Sequence, residues 1–138
     1  MKFFISGSLV MATLAITGCS GSGNGIPEEN QQLANQVMEL HDSAMVHSSR
    51  ILKLKSRANL EADSLGSGTR SDSLRQLSAS LYKADQLMLD WMHQYREPNL
   101  QSDTAATYLK KQLELIQLVK NQTDSSLWFA KLMGYENK

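Results

Sequence analysis

All three histidines and four of the seven methionines of the chain fall in two short segments. The first runs Val37-Met38-Glu39-Leu40-His41-Asp42-Ser43-Ala44-Met45-Val46-His47. The second runs Asp85-Gln86-Leu87-Met88-Leu89-Asp90-Trp91-Met92-His93-Gln94-Tyr95. On a helix, His41 and Met45 stand one turn apart on the same face, and so do Met88 and Met92. Thioether sulfur beside imidazole is a soft donor set suited to Cu(I). The same pair of ligand types serves as axial ligation of haem inside helical bundles. His41, Met45, Met88 and Met92 are therefore the candidate metal ligands, with copper or haem as the cofactor. Packing accounts for the same residues without a cofactor. Met88 sits on an apolar stripe where methionine commonly fills gaps. His41 borders that apolar face, and His93 falls opposite it, toward solvent.

Other chemistries fit less well. Asp90-x-x-His93 has the carboxylate-to-imidazole spacing of di-iron bundles, but such sites need two of these motifs and further inward carboxylates. Gly66-Ser67-Gly68 reads as a turn, not a phosphate cradle, and no nucleophile elbow or metalloprotease helix motif occurs. No acid/base pair or nucleophile with an orienting partner can be assembled, so catalytic residues are not expected and the chain is not read as an enzyme. The 14 basic residues balance 14 acidic ones, whereas nucleic-acid binding usually needs a clustered basic surface. Lys53 to Arg57 reads as a solvated helix face. A single Cys excludes a disulfide framework and a Cys-rich zinc site.

The elements that must position these side chains are helices. Pro27 followed by Glu28 and Glu29 suits a helix start, with the acids at the positive end of the dipole. Leu33, Val37, Leu40, Ala44, Ile51, Leu54 and Ala58 then recur at helical steps, and Gly66-Ser67-Gly68 ends the run. Ser71 or Asp72 can cap a second helix, whose stripe is Leu74, Leu77, Leu81, Ala84, Met88, Trp91 and Tyr95. Pro98 stops it. Ser102 or Asp103 can cap a third, striped by Ala105, Leu109, Leu113, Ile116, Thr123, Leu127 and Ala130 and ended near Gly134. A second apolar edge on that helix, formed by Tyr108, Leu115, Leu118, Phe129 and Met133, serves either the bundle core or a docked partner. β-branched alternation is absent. The expected fold is all-α: an antiparallel three-helix bundle over residues 28–138, with helices at about 28–64, 71–96 and 102–133.

The amino terminus sets the address. Lys2 precedes an apolar run from Phe3 to Thr17, too short to span a bilayer and matched to a cleaved signal. It ends Leu14-Ala15-Ile16-Thr17-Gly18-Cys19, which resembles the lipobox of bacterial lipoproteins. The resemblance implies a signal peptide over residues 1–18, cleavage between Gly18 and Cys19, and covalent lipid (palmitate among the acyl chains) on Cys19. Position 16 holds Ile where Leu is commoner, and position 17 holds Thr where Ala or Ser is commoner; both keep the size class. Residues 19–27 then form the lipidated Cys and a Gly/Ser tether. Ser20 is not the Asp associated with inner-membrane retention, so the resemblance favours the outer membrane, with the domain facing the periplasm. Cleavage removes Lys2 and leaves 13 basic against 14 acidic residues.

The two His/Met segments are also similar to those of small uncharacterised lipoproteins of the Bacteroidota. In these, His-Asp-x-x-Met is followed by Met-x-x-Trp-Met, and some carry the label "viral A-type inclusion protein". That resemblance implies no activity. The expectation from the whole sequence is a non-enzymatic envelope module, held to the membrane by its lipid anchor. It would bind an envelope protein or a second copy of itself and would not bind nucleic acid. Copper or haem binding is the alternative.

Overall fold

Apolar residues repeating every three or four positions dictate helices, and the computed structural model, which describes residues 25–135, contains four of them among those residues. They are α1 (Glu28–Met45), α2 (Ser48–Leu65), α3 (Thr69–Gln94) and α4 (Ala105–Leu132). The described residues include no strand, and no helix among them is long and apolar enough to cross a membrane. Gly18, Cys19 and the first part of the tether lie outside the described residues.

α1 and α2 follow end to end as one bent rod, so the architecture is the expected all-α bundle of three rods. The bent rod runs parallel to α4. At one end Lys110 pairs with Glu29 at 2.8 Å, and at the other Tyr135 reaches Glu61. α3 runs antiparallel to both, entered and left through the connections at 66–68 and 95–104.

The bend corrects the expectation of a single helix over 28–64. At residues 46–47 the backbone tightens: His47 N–H bonds the Ala44 carbonyl at 3.1 Å, and the next helix restarts as Ile51 N–H bonds His47 at 2.9 Å. A β-branched valine followed by Ser48-Ser49 is a weak helical stretch, because serine competes for local hydrogen bonds. Here the Ser48 hydroxyl turns to the Met45 sulfur at 3.4 Å. The consequence is a change of neighbour. α1 lies along α4, whereas α2 lies along α3.

The core accordingly divides in two. One half gathers Ile51, Leu54, Leu74, Leu77, Leu81 and Ala130. The other gathers Leu33, Val37, Met88, Trp91, Leu109 and Ile116. Each fully buried Leu or Ile contributes roughly 1.5–3 kcal/mol of transfer free energy. Along the α3/α4 seam lies a small polar group. The Ser80 and Ser126 hydroxyls are 2.7 Å apart, and the Gln122 amide donates to them at 3.3 and 3.1 Å. Ser126 is wholly buried.

The helix ends differ in detail from the expected caps. Ser71 lies inside the first turn of α3, buried, and its hydroxyl donates to the Ala62 carbonyl at 3.0 Å, closing the α2/α3 hairpin. α4 starts at Ala105 after a tight turn in which Ser102 Oγ accepts the Thr104 N–H at 3.3 Å. α3 ends at Gln94, where the Arg96 guanidinium donates to the carbonyls of His93 and Tyr95, each at 2.7 Å. The end of α4 is a Schellman turn. Gly134 takes φ 81°, its N–H bonds Lys131, and the Tyr135 N–H reaches back to Ala130 at 3.0 Å.

Candidate functional site

Side chains of α1, α3 and α4 meet around the far half of α3, and a row of rings forms there. His41 of α1 stands with its ring centroid 5.4 Å from that of Trp91 on α3. Trp91 stacks on Tyr95 at 4.9 Å, and Tyr95 meets Tyr108 of α4 at 6.2 Å. The Tyr108 hydroxyl accepts the Arg96 N–H at 2.8 Å, which fixes the α3/α4 connection. Burial pushes the Tyr95 phenol above its ordinary value, with Tyr108 and Glu97 adding to the shift. Asn30 closes the same end of the bundle, donating its amide to the Leu100 carbonyl at 2.7 Å.

All four sequence-selected donors lie in this half of the molecule. Met88 belongs to the core cluster around Trp91, and Met45 and Met92 pack against that cluster. The Met45 sulfur accepts the Ser48 hydroxyl, and His41 Nδ1 lies 2.9 Å from an Asp42 carboxylate oxygen. Met88 is 6% exposed, as its place on the stripe demands. His93 and Asp90 face solvent. Among the described residues, no group of three His, Cys, Asp or Glu side chains gathers as a metal cluster.

Sequence reasoning missed a second feature on the other side of Trp91. A groove of about 210 Å³ runs between α3 and α4, walled by Leu87, Leu115, Leu118 and Val119. Trp91 and Gln112 also line it. The Trp91 Nε1–H donor and the Gln112 Oε1 acceptor are both buried, and no protein group among the described residues bonds either. The signal was present in the chain. The buried register of α4 is Ala105, Leu109, Gln112, Ile116, Val119 and Thr123, steps of four and three that hold a glutamine where an apolar residue is expected.

The second apolar edge of α4 also splits. Tyr108, Leu115, Phe129 and Met133 are partly buried against the two cores. Leu118 is 62% exposed, and Trp128 and Leu132 reach 58% and 67%. Fold and surface together define an all-α helical bundle with three large apolar side chains exposed on α4. Comparison with profiles of known protein families, with curated proteins and with solved structures finds no match to this chain.

Proposed function

We propose that this chain is a lipid-anchored helical module of the bacterial cell envelope that works by binding another envelope protein, not by catalysis. The observation that carries the reading is the outer face of α4, where Leu118, Trp128 and Leu132 stand more than half exposed. Trp128 and Leu132 are one turn apart, and Leu118 lies about 21 Å along the helix from Leu132 on nearly the same side. Trp128 is the kind of large aromatic side chain that anchors an interface hot spot, and Leu132 beside it adds apolar area. The lipobox and tether support the address: a domain held at the membrane by Cys19 meets its partners there.

The test places a photo-crosslinking amino acid at position 128 in cells and another at exposed Gln76 on α3, with the mass of the purified chain measured in parallel. Expected is one crosslinked envelope species from position 128 and none from 76. A strict monomer with equal, diffuse crosslinking from both positions overturns the reading, and a crosslinked pair of chains makes the partner a second copy.

One arrangement favours a second reading, as a copper- or haem-binding module. Met45, Met88 and Met92 share a single apolar cluster with His41 at its edge. Stoichiometric Cu(I) or haem uptake that disappears in both Met88→Leu and His41→Ala supports that reading, and no uptake ends it.

A further inference from the structure

Each buried position of α4 has a counterpart two residues on, about 200° around the helix, on the side away from the bundle. The buried register that runs from Gln112 to Ala130 thus defines an outer row of Glu114, Leu118, Asn121, Ser125, Trp128 and Leu132, and all six are exposed. Its steps of four and three are those of a coiled-coil seam. α1 and α3, the helices packed against α4, leave this row uncovered.

We propose that the outer row of α4 pairs antiparallel with the same row of a second copy of this chain, about a two-fold axis at the level of Thr123. The proposal rests on the reading of this face as a docking surface and names its occupant. What selects a second copy is that the row complements itself in this register. Reversal about position 123 sets Leu118 opposite Trp128 of the second copy and Asn121 opposite Ser125 of the second copy, each pair occurring twice. The largest exposed aromatic therefore meets an exposed leucine, and an amide meets a hydroxyl with which it can hydrogen-bond. At either end Glu114 stands opposite Leu132 of the second copy and beside Lys131 of the second copy, an acid against a base.

The remaining charges are compatible with this pairing. Asp124, close to the axis, is held by Lys120 of its own chain at 2.6 Å, so the pair brings no net charge there. A parallel pairing in register would instead set Glu114 against Glu114 and Lys131 against Lys131, like charges that oppose it. The chain as a whole has 14 basic residues against 14 acidic, so two copies approach without net repulsion. The paired segment, 114–132, extends about 27 Å along the helix. A contact of that length suits a reversible dimer, not a permanent one.

Charge reversal tests both the partner and the register. The purified full chain is followed by sedimentation equilibrium from about 1 to 200 µM, and melting temperature checks that each variant folds. The wild type should dimerise within that range. Glu114→Lys and Lys131→Glu each turn two attractions into two repulsions and should weaken the dimer on the order of tenfold. Mixed one to one, the two single variants should pair, because the mixed dimer sets an acid against a base at both ends. The double variant in one chain should regain wild-type affinity for the same reason. A purely structural role of either side chain would produce neither rescue. A chain that stays monomeric throughout overturns the proposal. So does a dimer that the reversals leave unchanged, or one that the double variant fails to restore. Failure of this proposal is distinguishable from failure of the docking reading. A monomer whose position 128 crosslinks in cells to a different envelope protein ends the second copy as occupant and keeps the docking surface, whereas a monomer with diffuse crosslinking ends both.

Discussion

The Tyr135 hydroxyl donates a hydrogen bond to the Glu61 carboxylate, locking the turn that follows α4 onto the end of α2. Arg70 pairs with the same carboxylate at 3.1 Å, and the Arg57 guanidinium lies 4.6 Å from the centre of the Tyr135 ring. Four residues from three segments thus close one end of the bundle, opposite the end closed by Asn30 and Leu100.

This closure should depend on pH. The Tyr135 hydroxyl and then Arg70 hold the Glu61 carboxyl below its ordinary value of 4.5. Burial, and then the bond to Glu61, raises the Tyr135 phenol above its ordinary 10.0. A lowered carboxylate stabilises the fold above its unfolded value, and that contribution is lost as pH falls through the folded one. A raised phenol stabilises the fold below its unfolded value and is lost as pH rises through the folded one. Tyr135→Phe should therefore lower the melting temperature most near neutral pH, with the gap to wild type narrowing as pH falls below 4.5 and again as it rises above 10.0. A gap that is the same across all three pH ranges would mean the loss comes from packing and not from the pair.

Gly134 positions Tyr135 for that bond. At φ 81° an L side chain is strained, and a Cβ there meets nothing within 4 Å, so the strain is confined to the backbone. Gly134→Ala should cost about 1–2 kcal/mol, or roughly 4–12 °C in melting temperature for a domain of this size. Combined with Tyr135→Phe, the loss should be less than additive, because both changes release the same turn. Full additivity in a double-mutant cycle would disconnect the glycine from the tyrosine.

The helices and their stripes were legible in the sequence because period and capping are local properties. The α3 stripe holds from Leu74 to Trp91, every member buried. The bend at residues 46–47 was not legible, since Ala44 and Ile51 keep the heptad step across it and periodicity passes over the break. In α4 the stripe through Leu113 and Leu127 was one residue off the buried register, which runs instead through Gln112 and Ser126. A pattern reading prefers leucine to glutamine or serine at a core position. The buried Gln112 amide oxygen therefore escaped notice, because its isolation is set by how α3 meets α4.

That register makes a sharp stability prediction. Leu109 and Leu113 look equivalent in the sequence, but Leu109 is wholly buried and Leu113 only partly so. Leu109→Ala should cost about 2–5 kcal/mol, the range for truncating a packed leucine, and Leu113→Ala about half of that or less. Urea unfolding at fixed m-value checks both. Equal losses would place Leu113 in the core seam and contradict the packing.

The proposed lipid anchor carries the last prediction, which concerns chemistry at the amino terminus. Acyl chains contribute about 0.8 kcal/mol per buried CH₂, and one chain alone holds a protein only reversibly. An anchor built on Cys19 must therefore carry more than one chain. Cells fed labelled palmitate should yield a labelled chain that sediments with the outer membrane and begins at residue 19. Cys19→Ser removes the only thiol, so its product should be unlabelled, retain residues 1–18, and leave the outer-membrane fraction. Label that persists in Cys19→Ser, or a wild-type chain cleaved elsewhere and released in soluble form, would refute the lipidated address.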